Sequence, residues 1–280
     1  MHFGSIELNI AWDGYFRLDG GAMFGVVPKP LWSKIEPADE RNRILLSLNP
    51  LVIRSKAGIF LVDAGIGSGW DEKRRDIFGI EQPQTLHSSL EALGISKNDV
   101  TGVICTHLHF DHIGGAVEKA EDGAIRPAFP NAKYYIQRGE WECAVKPNER
   151  TRASYISEHF ISLKKAAVIH FLDGSGEIAP GIAVEVTGGH TLHHQIIFVR
   201  SDGRTACYFG DLIPTSSHLH LPYIMGYDTH PVDTLAAKKR LIEQAITEHW
   251  LVIFSHSPII KAGYLIQKEK STEIKQILID

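Results

Sequence analysis

The sequence predicts an α/β protein whose sheets are covered by helices, and three observations carry that reading. Strand-like and helix-like segments alternate along the 280 residues. Pairs of neighbouring strands open each half of the chain. No internal repeat, low-complexity tract or clean linker divides it, so residues 1–280 read as one domain.

Each element follows from local pattern. Residues 6–18 alternate loosely and predict a strand pair turning at Asp13-Gly14. Residues 19–43 are rich in Gly, Pro and charge and read as a long loop. They carry Met23, Phe24, Val26, Val27, Leu31 and Trp32, which favours packing over disorder. Residues 44–53 and 58–63 read as strands around a Ser-Lys-Ala-Gly turn. Residues 85–93 have helical apolar spacing and stop at Gly94, a helix-ending signal. Residues 99–106 form a short apolar strand that runs into His107. A strand at 133–137, a short helix at 139–145 and a longer helix at 152–165 come next. Strands follow at 168–172, 182–187, 195–200 and 204–209, the last two joined by a turn at Ser201-Asp202-Gly203. An amphipathic helix spans 232–249, and a buried strand at 251–254 ends at Ser255-His256.

Composition narrows the function. Thirty-three acidic against 29 basic residues leave a net charge of −4, which argues against a nucleic-acid partner. Cys105, Cys143 and Cys207 form no CxxC pair and fit a reducing compartment better than a disulfide framework. The N-terminus lacks a basic stretch followed by an apolar run, and no stretch of about 18 apolar residues exists. The expectation is a cytoplasmic protein with no membrane partner. Histidine is the enriched residue, at 15 copies.

Those histidines are concentrated. Thr106-His107-Leu108-His109-Phe110-Asp111-His112 places four potential ligands within six residues, directly after an apolar strand. Imidazole and carboxylate suit zinc and other first-row metals. In an extended start His107 and His109 point to one side. A tight turn or helix start then brings Asp111 and His112 to a neighbouring position, so one segment can feed two metals. The segment supplies too few ligands for two metals by itself. Three further candidates, His190, Asp211 and His256, each follow an apolar strand and precede a break. Ligands gathered at strand ends are how a rigid scaffold holds a site.

In this order, with Asp63 in Val-Asp-Ala-Gly ahead of them, these residues resemble the metallo-β-lactamase superfamily over nearly the whole chain. The resemblance implies an αββα sandwich with the site at the edge between two sheets. It implies one metal on His107, His109 and His190, a second on Asp111, His112 and His256, Asp211 bridging them, and Asp63 as a support. Two Zn²⁺ are the expected cofactors, and Mn, Fe and Co suit the same donors. Within the superfamily, His-Leu-His-Phe-Asp-His-Ile-Gly-Gly, residues 19–29 and residues 210–218 look most like the N-acyl homoserine lactonases that quench quorum sensing, and like relatives that cleave aryl esters or organophosphates.

The resemblance implies a metal-dependent hydrolase. A bridging hydroxide would attack an ester carbonyl, and Asp111 would pass a proton to the leaving group. The resemblance implies a small ester or lactone as the substrate. Met23, Phe24, Trp32, Leu219, Leu221, Tyr223 and Met225 are candidates for an apolar pocket wall, or for ordinary core or dimer packing, and a homodimer is compatible with that loop. Two departures concern the substrate. The family often reads Gly-His-Thr-Pro-Gly-His at the third ligand. Here Gly189-His190-Thr191-Leu192-His193-His194 keeps the ligand, with His194 as a support and His193 without a role. Some lactonases place a substrate-contacting Tyr where this chain has Pro214. His218 and His220 read as loop or satisfied histidines rather than ligands. Thioesterase and phosphodiesterase relatives share the metal set. A non-enzymatic metal-binding protein would be expected to lack a ligand, and none is missing.

Overall fold

Two seven-stranded sheets organise the computed structural model, which describes residues 1–269 and 271–279. The first runs in spatial order through His2–Phe3, Ile6–Ile10, Leu51–Ser55, Gly58–Val62, Val100–Ile104, Lys133–Gln137 and Ile169–Leu172. Its first four strands are antiparallel and the rest join in parallel. The second runs through Gly176–Ala179, Ile182–Val186, Gln195–Ser201, Arg204–Tyr208, Leu251–Ile253, Ala262–Gln267 and Thr272–Gln276. It is antiparallel except between Arg204–Tyr208 and Leu251–Ile253.

Period-two alternation splits each central strand between two cores. Leu51, Ile53, Val62 and Ile104 face inward and meet Val184, Ile197, Val199, Tyr208 and Ile253 of the second sheet. Val52, Leu61, Val103 and Tyr134 face outward under Leu86, Leu90, Ala144 and Leu163. These four belong to the helices Leu86–Ala92, Arg138–Val145 and Ile161–Lys165. The second sheet turns Ile196, Phe198, Cys207 and Val252 outward under Ala237, Leu241 and Ala245 of the helix Pro231–Thr247. The layers are helix, sheet, sheet, helix: the αββα sandwich expected above. Local sequence starts two of these helices close to where the pattern predicts. Thr85 and Ser88 form a reciprocal capping box, and Pro231 occupies the first turn of its helix.

Strand direction places the site. Gly58–Val62 and Val100–Ile104 are parallel neighbours, so both C-terminal ends reach one edge. In the second sheet two antiparallel steps and one parallel step make Ile182–Val186, Arg204–Tyr208 and Leu251–Ile253 run the same way. Asp63, His107, His190, Asp211 and His256 follow these five strands.

Several expectations need correction. The strand anticipated at 44–53 is two strands, Arg43–Ser47 and Leu51–Ser55, in different sheets. Pro50 has no N–H for a ladder, and the Asn49 carboxamide donates to the carbonyls of Phe254 and Ser257 instead. The pair at 6–18 is not a hairpin. Ile6–Ile10 pairs with Leu51–Ser55, and Tyr15–Asp19 pairs with Arg43–Ser47. Between them Asp13 turns inward and accepts the N–H groups of Ile66, Gly67 and Leu86. Burial pushes its pKa up to about 6 against the pull of those bonds. The long helix at 152–165 shrinks to a 3₁₀ turn, Ser157–His159, and a short helix, Ile161–Lys165. The Ser154 carbonyl accepts the Phe110 N–H at 3.0 Å instead of a helical bond from residue 158, and the Tyr155 hydroxyl donates to the buried Glu140 carboxylate, 2.9 Å away. The loop at 19–43 packs, as its apolar content implied, around two short helices, Gly20–Phe24 and Lys29–Trp32. Among the described residues no helix is long and apolar enough to cross a membrane.

Candidate metal centre

The strand Val100–Ile104 delivers an extended segment at 105–109, followed by one helical turn, Phe110–Ile113. The extended part carries His107 and His109, and the turn carries Asp111 and His112. Gly114 and Gly115 let the turn press against the strand-end loop of Asp63. A Cβ at either would lie 2.2 Å or less from the carbonyl oxygens of Ile66 and Ala64. The closeness is used, because Ala64 N–H donates to the His112 carbonyl at 2.7 Å.

Donor atoms converge in two groups, His107 with His109 and His190, and Asp111 with His112, Asp211 and His256. All seven sequence candidates are buried. Asp211 spans the groups. Its Oδ1 is 3.1 Å from both His112 Nε2 and His256 Nε2, while Oδ2 is 3.4 Å from His190 Nε2. Asp111 Oδ2 lies 3.5 Å from His256 Nε2 and 3.7 Å from His112 Nε2.

Hydrogen bonds at the opposite ring nitrogens set the tautomers. Asp63 Oδ2 accepts His112 Nδ1–H at 2.8 Å, and the Ser47 carbonyl accepts His256 Nδ1–H at 3.0 Å. Each Nε2 is then a lone pair, yet the two Nε2 atoms face each other at 3.0 Å. Such a contact requires a proton or a cation between them. Asp228 Oδ1 accepts His190 Nδ1–H at 2.8 Å, which leaves His190 Nε2 pointing at His109 Nδ1, 3.0 Å away. The Thr106 hydroxyl donates to Asp63 and lies 3.0 Å from His107 Nδ1. His107 Nε2 is buried with no partner. An orphaned imidazole nitrogen, a facing pair of lone pairs and two carboxylates fit a pair of first-row dications.

In the first group burial holds His107 and His109 neutral, while Asp211 and Asp228 outweigh the burial of His190 and raise it. Burial, with the neighbouring His112, His109 and His190, holds His107 well below the usual histidine range. In the other group burial opposes the His112 charge, but Asp211, Asp111 and Asp63 outweigh it and raise its pKa. Burial alone would raise Asp211, and His112, His256 and His190 instead hold it well below the carboxylate range.

Asp63 adopts the left-handed region, φ 57°, uncommon for a non-glycine residue. There its carboxylate accepts the Thr106 N–H and hydroxyl as well as His112. His194 is a support, as expected. Its Nε2 accepts the Asp211 N–H at 3.1 Å, and burial lowers its pKa to about 3, which keeps that nitrogen an acceptor. His193 packs over Gly139, where a Cβ would meet the imidazole ring. His218 is a satisfied core histidine, bonded to Thr215 and the Met23 carbonyl and stacked on Phe24.

Three residues carry roles that the sequence reading missed. Asp228 orients His190 and accepts the Thr234 hydroxyl at 2.7 Å. Glu140, from the outer helix, accepts Leu108 N–H, the Tyr155 hydroxyl and the Thr191 hydroxyl, tying both histidine segments to one carboxylate. Tyr227 lines the cavity above the donors. A carboxylate 38 residues from His190 has no local pattern to find it by.

That cavity, about 120 Å³, is lined by His109, Asp111, His190, Asp211 and His256 below and by Leu18, Met23, Leu46, Phe78, Phe110 and Met225 around. Of the seven residues anticipated as its wall, two line it and five lie elsewhere. Met23 and Met225 line it, whereas Phe24 and Trp32 stack behind it in the core. Leu219 and Leu221 border a separate groove of about 720 Å³ against the helix Pro231–Thr247, which contains none of the donors. Tyr223 packs edge-on against Phe24.

The family model of the metallo-beta-lactamase superfamily matches residues 45–256, from the strand Arg43–Ser47 to the last donor. The chain belongs to the metallo-beta-lactamase superfamily. Among superfamily relatives, the N-acyl homoserine lactonase AiiA of Bacillus thuringiensis subsp. kurstaki is 29% identical over 188 residues, covering 66% of this chain and 64% of that enzyme. The chain thus spans just under two thirds of the length of that relative. The N-acyl homoserine lactonase AttM of Rhizobium radiobacter is 27% identical over 192 residues, 66% of this chain and 68% of AttM. A crystal structure of a probable metal-dependent hydrolase from Staphylococcus aureus superposes with TM-score 0.90 at 31% identity over 100% of both chains. The dizinc quorum-quenching lactonase AidC shares the fold, with TM-score 0.82 at 22% identity over 99% of this chain and 96% of AidC.

Proposed function

We propose that this chain is a dinuclear metal-dependent hydrolase of lactones, with N-acyl homoserine lactones as its substrate class. The observation that carries the reading is the Asp211 carboxylate, which joins two donor groups at the floor of an apolar cavity. The lactonase names of its relatives support the substrate class. His107, His109 and His190 would hold one cation, Asp111, His112 and His256 the other, with Asp211 between. When bound, two Zn²⁺ ions, or Mn, Fe or Co on the same donors, supply Lewis acidity and lower the pKa of water to about 7.

The remaining work falls to side chains. Leu18, Met23, Leu46, Phe78 and Met225 exclude water and give an acyl chain an apolar surface. Asp111, in the cavity lining, would pass a proton to the leaving alkoxide. Asp63, Asp228 and the Ser47 carbonyl keep three imidazoles in the tautomer that turns Nε2 inward. The proposal includes one domain. It also includes a reducing, cytoplasmic setting, supported by the free thiols of Cys105, Cys143 and Cys207. Val26, Leu31 and Ile35 remain exposed on the N-terminal loop and support a homodimer.

The test is turnover of N-acyl homoserine lactones, plain lactones, aryl esters and organophosphate triesters by the metal-loaded protein and by Asp111→Asn. Lactone turnover that falls about a hundredfold in the variant is expected. Turnover of aryl esters or triesters without lactones would contradict the substrate class.

A further inference from the structure

A second compartment of about 100 Å³, walled by polar and charged side chains as well as apolar surface, adjoins the apolar cavity and shares His109, Ser154 and Tyr227 with it. Its remaining wall is Arg150, Thr151, Gly226 and Thr229. Tyr227 therefore stands between an apolar and a more polar space, both opening on His109. A substrate with its ester at the donors fills both spaces only if a polar group and an apolar chain branch near the reacting carbon.

We propose that Arg150 is a specificity-determining residue that donates a single hydrogen bond to an amide carbonyl next to the reacting ester, so that the chain prefers N-acyl lactones over lactones with plain alkyl substituents. The inference rests on the lactonase reading and specifies it. Arg150 Nη2 donates to the carbonyls of Gly226, at 2.6 Å, and Asp228, at 3.1 Å, which fixes the guanidinium against the pocket wall. Among the described residues no acceptor pairs with its Nε or Nη1 and no carboxylate forms an ion pair with it, so the charge is available. Bidentate carboxylate binding needs Nη2 paired with Nε or with Nη1. Both Nη2 hydrogens are already used, so the free donors offer a single hydrogen bond to a carbonyl oxygen rather than the bidentate fork that favours a carboxylate. Tyr227 supplies a neighbouring donor. Ser154 and Thr229 add two hydroxyls to the lining.

The experiment compares an N-acyl homoserine lactone with an alkyl-substituted γ-butyrolactone of equal chain length, using metal-loaded wild type and Arg150→Gln. A bond from a charged donor predicts that wild-type kcat/KM favours the amide substrate about tenfold, mainly through KM. That ratio should collapse in Arg150→Gln. A purely structural role, anchoring the 226–228 carbonyls, would lower both substrates alike and leave the ratio unmoved, which overturns the inference while the lactonase reading stands. Equal wild-type kcat/KM for the two substrates overturns it without any variant. So does a preference for a carboxylate at the amide position. Hydrolysis of neither lactone overturns the lactonase reading itself.

Discussion

The two donor groups at the sheet edge differ in charge and in what supports them. His107, His109 and His190 are three imidazoles with no carboxylate apart from the shared Asp211, whereas His112 and His256 lie beside both Asp111 and Asp211. A dication repels nothing in the first group, but it is neutralised only in the second. The supports differ as well. Asp228 serves His190 alone, while Asp63 reaches His112 directly and His107 through the Thr106 hydroxyl. The all-histidine group should therefore be the weaker of the two and the first to empty.

The largest expected effect comes from Asp211→Ala, which removes the only side chain common to both groups. Metal content should fall from two equivalents to one or fewer, with lactone kcat/KM down about a thousandfold, several kcal/mol of transition-state stabilisation. Elemental analysis with a pH-stat assay checks both. His190→Ala and His256→Ala separate the groups. The first should keep one tightly held equivalent. The second should weaken the carboxylate-rich group, and equal metal retention by the two variants would remove the asymmetry. Asp63→Asn and Asp228→Asn act one step further out, each expected to cost 10–100-fold in metal affinity. Competition with a chelator should show two weakened equivalents for Asp63→Asn and one for Asp228→Asn.

The smallest effect lies outside both groups. Lys238 is buried in the helix Pro231–Thr247 and donates to the carbonyls of His220 and Tyr223. Burial lowers its pKa from 10.5 to about 7, with Asp228 pulling the other way. A lysine whose folded pKa is depressed is protonated more in the unfolded chain, so its contribution to stability rises with pH between 7 and 10.5. Wild type should gain about 2 kcal/mol over Lys238→Met between pH 7 and pH 9 in urea unfolding. Identical pH dependence in the two proteins would exclude Lys238 as the cause.

The same contrast explains what could be read from sequence. The seven donors follow strand ends whose apolar runs are visible in one dimension, and 107–112 holds four of them in six residues. The same strands implied sheets covered by helices, and the αββα layering followed from the family resemblance that the donors carry. Asp228, Glu140, Tyr227 and Arg150 act across distances that only tertiary packing creates. Glu140 meets Leu108 from 32 residues away and Thr191 from 51. The strand pairing failed where a side chain overrode backbone pattern, with Asp13 turned inward and Asn49 bonded across to the Ser257 carbonyl. The helix at 152–165 failed where the Ser154 carbonyl bonds to Phe110 of the donor segment, a contact its own periodicity cannot encode.

The most direct test of the central claim is metal stoichiometry paired with turnover in one purified sample. Elemental analysis and hydrolysis of an N-acyl homoserine lactone are measured before chelation, after it, and after adding back Zn²⁺ in steps. Two equivalents per chain are expected, with turnover lost on chelation and regained only as the second equivalent binds. Full turnover in metal-free protein, or saturation at one equivalent, would contradict a dinuclear hydrolase.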